Sequence, residues 1–427
     1  MAQLKEGAAV GEEAKGAAAK RASLWRNRDF ILLWSGQVVS QLGSSMSGFA
    51  LTLLILALTN SPQAAGVAGG LVWVPYILLS LPAGALVDRW DRKRVLIVCD
   101  MIRAANMASI PLALALGGLS VWLIYANALI DGCCFVFFVA AETAAIPRVV
   151  TKEQLAAANS QFYAAGSVVE LLGAPLGGFL FKSVGRTFPF VFDAISYAAS
   201  VVSLTFIKTD FQGERAKSDH HLWTEIKEGM AWIWQRPFVK MMALLNLGVN
   251  GIIGCIALLL VVRARELGAD EPTTGLLLSM WAVGGLLVSL LNERLRLRIS
   301  YGRIMIGSLW AEVACMVLYA LAPNLWLLGL VALSWASTTT FYDLNQYPYR
   351  LALIPDQLQG RVNSAFRLVA WGIRPIAAVA AGWLLEHIGA QGTFAVLAVW
   401  ITIFAGLATV SHLIREAVPL EQLEATA

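Results

Sequence analysis

The chain has 427 residues, of which 58% are hydrophobic and only 14% charged, with a formal net charge of +4. Its mean hydropathy is +0.66. Soluble proteins carry about 25% charged residues, so a water-soluble enzyme or nucleic-acid-binding domain is excluded, and lipid must be the solvent for much of this surface.

Residues 1–29 are polar, Ala/Gly-rich and charged, without the apolar run of a cleaved signal peptide. They read as a disordered cytoplasmic tail that ends in a basic anchor at Arg26 and Arg28. A helix needs about 20 apolar residues to cross the hydrocarbon of a bilayer. Twelve stretches qualify: 30–57, 63–87, 94–117, 120–146, 157–181, 188–207, 238–262, 274–292, 302–322, 325–352, 363–386 and 391–414. The expectation is an all-α membrane protein of twelve transmembrane helices, six in 30–207 and six in 238–414, with a connector at 208–237 and a cytoplasmic tail at 415–427. Six of the intervening loops hold four Lys or Arg among them (Lys182, Arg186, Arg263, Arg265), out of 32 in the chain. That bias puts those loops outside and both termini in the cytoplasm.

Span one carries Gln37, Gln41 and Ser44 at helical spacing, a polar stripe on an apolar helix. Between spans two and three lies GALVDRWDRKRVL, Gly84 to Leu96, with two aspartates and four basic residues between Asp88 and Arg94. A turn at the inner face must be wet, so charge is welcome there. In span three Asp100 and Arg103 are three apart and predict a local pair. Span four adds Asp131 and, near its inner end, Glu142. An ionisable side chain inside a span costs at least about 2.5–3.5 kcal/mol on insertion scales. Glu170 of span five stands out because it lies about 16 Å along the helix from Asn159, near mid-depth, with no basic residue close by in its own span. A carboxyl withdrawn from water favours its protonated form, so Glu170 is the first candidate for carrying a proton, ahead of Glu312, Asp343 and Asp131. A structural ion pair is the competing reading.

The connector contains KTDFQGERAKSDHH and then LWTEIKEGMAWIWQRPF, where Leu222, Ile226, Met230 and Ile233 recur at helical spacing opposite Glu225, Lys227 and Glu228. This predicts an amphipathic helix lying on the inner membrane face. Span seven offers Asn246 and Asn250, and span ten offers Tyr342, Asp343 and Gln346. Span eleven has Trp371 and Arg374. An offset of 204 superimposes the halves: Asn159-Ser160 falls on Asn363-Ser364, Gly178 on Gly382, Arg92 on Arg296 and Glu170 on Arg374. One register over eight spans implies a duplicated six-helix unit, and such transporters hold substrate at the midplane between the halves.

The residues GALVDRWDRKRV resemble the loop motif of the major facilitator superfamily, G-x-L-x-D-R-x-G-R-[RK]-x, with Asp91 where glycine is usual. LLWSGQVVSQLG, AAIPRVVTKEQLAAANS, FDAISY and GRVNSAF resemble its drug-exporter branch, which includes macrolide efflux proteins and the enterobactin exporter. The resemblance spans about Arg26 to about Arg415. It implies the major facilitator fold, with two pseudo-symmetric bundles. It also implies a cytoplasmic latch of Gly84, Asp88, Arg89, Arg92, Lys93 and Glu142, in which Asp88 faces the N-terminal end of span eleven and Arg92 pairs with Glu142. The alternative for these charges is a plain positive-inside anchor. LLGAPLGGFL resembles the antiporter motif of exporters, with Ala174 for a glycine, and its Gly173, Pro175, Gly177 and Gly178 allow close packing and a bend. In this fold spans one, four, seven and ten line the cavity, so Gln37, Gln41, Ser44, Asn246, Asn250, Tyr342, Gln346, Trp371 and Arg374 are the expected substrate contacts, interhelical hydrogen bonding being the other use for them.

No G-x-x-x-x-G-K-[ST] phosphate loop occurs, so no ATP site is expected in this chain, and neither enzyme chemistry, a cofactor nor a metal has a visible carrier. The five cysteines fall in or beside spans and read as packing residues. The functional expectation is a bacterial inner-membrane exporter of a hydrophobic or amphiphilic drug or natural product. Its partners would be the lipid bilayer, that substrate and protons, with no nucleic acid. A siderophore exporter, a lysophospholipid flippase and a non-transporting sensor are the alternatives.

Overall fold

A computed structural model of the chain describes residues 24–212, 222–297 and 299–418. The tail to residue 23, the stretch 213–221 with His220 and His221, Arg298 and residues 419–427 lie outside the described residues, as do the side chains of Leu222, Glu225 and Ile226. Among the described residues every regular element is helical. The first half holds α1 (Arg28–Thr59), α2 (Pro62–Arg89), α3 (Arg92–Ala115), α4 (Val121–Val149), α5 (Leu155–Ser183) and α6 (Phe188–Phe206). Then come α7 (Leu222–Gln235), α8 (Pro237–Ile253), α9 (Ile256–Glu266), α10 (Glu271–Arg296), α11 (Tyr301–Leu321) and α12 (Leu325–Leu353). The chain closes with α13 (Gln359–Trp371), α14 (Arg374–Val410) and α15 (His412–Arg415). Hydrocarbon cannot bond a free backbone N–H, and six of the starts are capped by a side chain. Asn27, Ser61, Asp91, Ser120, Asp270 and Asn324 each accept a first-turn N–H through their side chains.

Eleven helical segments are long and apolar enough to cross a membrane, and one of them, Asp356–Val410, runs for 55 residues. At about 1.5 Å per residue that is more than twice the hydrocarbon thickness. Gly389 breaks it with φ 68° and ψ 179°, in the region open to glycine. The arm before Gly389 runs antiparallel to α2: Pro375 lies at Gly70, Gly382 at Gly66, and Glu386 reaches Ser61. The arm after it runs antiparallel to α11, with Phe394 stacked on Tyr319 and the Trp310 indole N–H donating to Thr409. The two arms therefore run in opposite directions and make two crossings, which gives twelve among the described residues. The seventh crossing is α8 plus α9, interrupted at Gly254–Cys255, where Cys255 leaves helical geometry (φ −131°, ψ −16°).

The basic residues of the α2–α3, α10–α11 and α12–α13 connections share one face. The halves touch at the opposite face. Lys182 at the end of α5 binds Asp270 before α10 at 2.8 Å. Glu386 accepts from the Ser61 hydroxyl and the Gln63 N–H at the start of α2. Lys182 and Glu386 are themselves 204 apart, so duplicated positions close the same face with opposite charges. The Lys182 ammonium, with the Thr273 contacts, holds the Asp270 carboxyl well below the usual carboxylate range. Glycine makes the approach possible: a Cβ on Gly66 would sit 2.6 Å from Ala378 O and 2.8 Å from Gly382 Cα. Toward the basic face the halves part, leaving a cavity of about 380 Å³ between α2, α4 and α13.

The connector helix α7 packs on α13. Gly229 lies against the Arg361 carbonyl, and Glu228 pairs with Arg361 at 2.6 Å. Trp232 and Ile233 are buried, while Trp234 is exposed.

Cysteines at Ser61 and Glu386, in a background without the native thiols, are expected to crosslink under mild oxidation, read by gel mobility after cutting a protease site placed in the connector. Adding Gly66→Leu is expected to lower the yield several-fold. An unchanged yield would contradict the close approach of α2 and α14.

Candidate functional site

Many polar side chains of the first half meet one another in packing. The α1 stripe turns toward α6 rather than toward the space between the halves. The Gln37 amide donates to Ser200 Oγ at 3.5 Å, Ser44 Oγ meets Tyr197 Oη at 2.7 Å, and Ser47 donates to Asp193. Gln41 faces α5 at Gly166. Arg103 does not pair with Asp100 as its spacing suggested. It reaches across to α4, with Nε 2.8 Å from Asp131 Oδ1, and its guanidinium lies 4.4 Å from the Tyr197 ring centroid. Asp131 is therefore a paired structural carboxylate. Asp100 is fully buried, and neither of its carboxylate oxygens has a hydrogen-bond partner.

The expected latch is arranged differently. Arg92 contacts Asp88 at 3.1 Å and donates to the Ala144 and Phe211 carbonyls, so it does not meet Glu142. Glu142 Oε1 is buried without a partner. Asp88 is exposed and takes Arg92 of its own half instead of the start of span eleven. Lys93 donates to the Thr205 and Ile207 carbonyls at the end of α6, where cations suit the helix dipole. Arg89 is exposed. Asp91, the departure from the usual glycine, caps α3 through the Arg94 N–H. Gly84 lines the cavity beside α13. All these contacts stay within the first half because the halves have parted at this face.

The α5 motif performs packing. A Cβ on Gly177 would lie 2.8 Å from Met46 O, and one on Gly173 would collide with Ser45, so both hold α5 against α1. Gly178 meets the Glu271 carbonyl, and Pro175 lies at Gly275, so these two face α10 of the other half.

The second half instead leaves polar groups facing open space. A cavity of about 250 Å³ is lined by Asn246, Asn250, Asp343, Gln346 and Trp371, with Arg374 at its edge. Arg374 Nε donates to Asn250 Oδ1 at 2.8 Å, while Asn250 donates to Asn246 Oδ1 at 2.7 Å. The Arg374 guanidinium sits 4.5 Å from the ring centroids of both Trp73 and Trp371, which meet each other edge to face at 6.5 Å, so it makes a cation–π contact with each. Tyr76 packs on Trp371 at 5.2 Å. The interruption of the seventh crossing lies here too: a Cβ on Gly254 would come 2.8 Å from Arg374 Cα. Tyr342 differs from expectation, being fully buried in packing and not on the cavity wall.

A neighbouring cavity of about 360 Å³ shares Ile253 with the first and holds Glu170, Ser167, Trp281, Trp335 and Thr339. No cation pairs with Glu170 among the described residues. Behind that wall Glu312 is fully buried, accepts from Thr339 Oγ1 at 3.1 Å, and keeps Oε2 without a partner. Sequence reasoning missed Trp73, Tyr76, Arg350 and Arg367. The two arginines sit at span ends, where they pass for positive-inside residues, and the aromatic pair carries no signal of its own.

A family model described as transmembrane secretion effector matches residues 20–426. The chain belongs to that family, within the major facilitator superfamily. It is 22% identical over 398 residues to the multidrug efflux pump Tap of Mycolicibacterium fortuitum, covering 90% of this chain and 96% of Tap. It is 26% identical over 207 residues to macrolide efflux protein A of Streptococcus pyogenes, covering 48% of this chain and 51% of that protein. Among solved structures the nucleoside transporter NupG superimposes with a TM-score of 0.73 at 12% identity, covering 90% of this chain and 99% of NupG, a likeness of fold. As a major facilitator protein the chain is a multi-pass membrane transporter.

Arg103→Leu would strip Asp131 of its cation. Breaking a buried pair from one side costs about 3–5 kcal/mol, so thermal unfolding in detergent is expected well below that of the unaltered protein. Arg103→Leu with Asp131→Leu should recover most of the loss. No change in the single variant would show the pair to be idle.

Proposed function

We propose that this protein exports an amphiphilic, largely apolar drug or natural product across the bacterial cytoplasmic membrane, by alternating access coupled to proton entry. The basic face is the cytoplasmic one on this reading, so the structure is open inward and closed outward. The export direction and substrate type follow the relatives that are efflux pumps. The observation that carries the coupling is Glu170. It is a carboxylate facing a cavity between the halves, without a cationic partner, opposite Trp281 and Trp335. A group placed so can take a proton when the cavity faces outward and release it when the cavity faces the cytoplasm. Glu312 and Asp343 are further from the part. Glu312 lies behind Thr339, and Asp343 stands on the wall of the other cavity beside Arg350, Arg367 and Arg374.

Rocking of the bundles would break the Lys182–Asp270 and Ser61–Glu386 contacts and bring the Asp88 loop against α13. The latch that the loop motif implies belongs to that outward-open arrangement.

Proteoliposomes with an imposed proton gradient test this. Macrolide or dye flux should collapse when the gradient is dissipated. Glu170→Gln should abolish gradient-driven flux and keep substrate binding. Flux that survives Glu170→Gln unchanged removes this residue from the mechanism, and binding without any flux would make the protein a sensor.

A further inference from the structure

The cavity beside Arg374 is lined by hydrogen-bond donors that the protein does not use. Arg350 is 4% exposed and its Nε has no partner; Gln346 is 3% exposed and its Nε2 has none. Both line the cavity, as do Arg367 and Arg374. The cations are flanked by rings. Arg350 lies 3.9 Å from the Phe366 centroid, Arg367 5.8 Å from that of Trp371, and Arg374 4.5 Å from those of Trp73 and Trp371. No carboxylate forms an ion pair with any of the three among the described residues. Asp343 is the one acid on the wall, so the wall carries three cations against one carboxylate, an excess of two positive charges.

Like charges gathered on one buried wall repel one another, and a buried donor left without a partner is costly. A soluble cation would be repelled, and an uncharged apolar group would leave the donors bare. An oxyanion satisfies both demands, because guanidinium forks match carboxylate, sulfonate and phosphate oxygens. The adjoining space across Ile253 is lined by Trp281, Trp335, Ile256 and Leu286, which suits an apolar body.

We propose that the cavity of Arg350, Arg367 and Arg374 is an oxyanion subsite, and that the molecule it takes is an amphiphilic anion whose acidic group lies there while its apolar part extends past Ile253 toward Trp281. This deepens the transport reading, since it rests on the same central space being the substrate site, but it does not depend on proton coupling.

The probe is tritiated fusidate, a steroid carboxylate, binding to the full chain purified in an uncharged maltoside detergent. Saturable binding is expected, and the uncharged methyl ester should compete poorly. Arg374→Gln and Arg350→Gln should each weaken fusidate binding by about ten- to a hundredfold. Arg374→Lys should recover part of it, and Arg303→Gln, which removes a surface charge, should not alter it. A thermal melt of each variant separates lost binding from lost folding. Lysophosphatidylglycerol that displaces fusidate with the same arginine dependence supports the subsite and assigns its natural anion to lipid. Arginine-dependent fusidate binding that this lipid leaves untouched supports a soluble anion. Equal binding of acid and methyl ester, or well-folded arginine variants that bind fusidate normally, overturns the proposal. Failure of Glu170→Gln to stop flux would end the coupling mechanism and leave this result standing. Absent fusidate binding alongside proton-driven flux would end the subsite alone.

Discussion

Hydrocarbon offers no hydrogen bonds, and every polar group in these spans is placed by that constraint. A polar side chain at membrane depth must either meet another helix or face an aqueous cavity. The two halves, which an offset of 204 superimposes in sequence, resolve the constraint differently. In the first, Gln37, Ser44, Ser47, Arg103, Asp131 and Asp193 meet each other across helices. In the second, Asn246, Asn250, Gln346, Arg350 and Arg374 gather around a void. One bundle is a consolidated block, and the other leaves polar groups around a cavity, where the proposed binding site lies. The first contributes to the site from its edges, with Trp73, Tyr76 and Glu170.

The contact between the halves is built from backbone rather than long side chains. Gly66 on Gly382, Gly178 on Glu271 and Gly275 on Pro175 bring helices close along one face. The polar contacts of Lys182 and Glu386 are exposed, so water and salt weaken them. They select a register for the closed face more than they hold it. Dispersion between close-packed helices, summed over many atoms, supplies the larger share. A face closed this way can part without a large barrier from desolvated charge.

The spans, the basic face, the duplication and the family motifs were legible in the sequence, because each depends on periodicity or composition along one chain. The partner of a given side chain was not. Asp100 and Arg103 share a helix face at ideal spacing, yet Asp131 of the next helix offers the better geometry. The α1 stripe was visible as a stripe, but which neighbour it faces follows from the packing of α6, far away in sequence. Glu142 fits the motif, but Arg92 bonds Asp88 and the Ala144 and Phe211 carbonyls instead. Gly389 falls in the break that the sequence places between 386 and 391, but its positive φ appears only in three dimensions. For Asn246, Asn250, Gln346, Trp371 and Arg374 the sequence was enough to place them together, since broken polar patterns on several spans have few places to converge.

Arg374 touches an indole of each half, Trp73 from the first and Trp371 from the second. Any rocking that separates α2 from α13 must pull one ring off the guanidinium. The local field around that indole then changes, and indole emission follows the local field. The protein thus contains its own optical gauge of which way it is open, readable without attaching a dye.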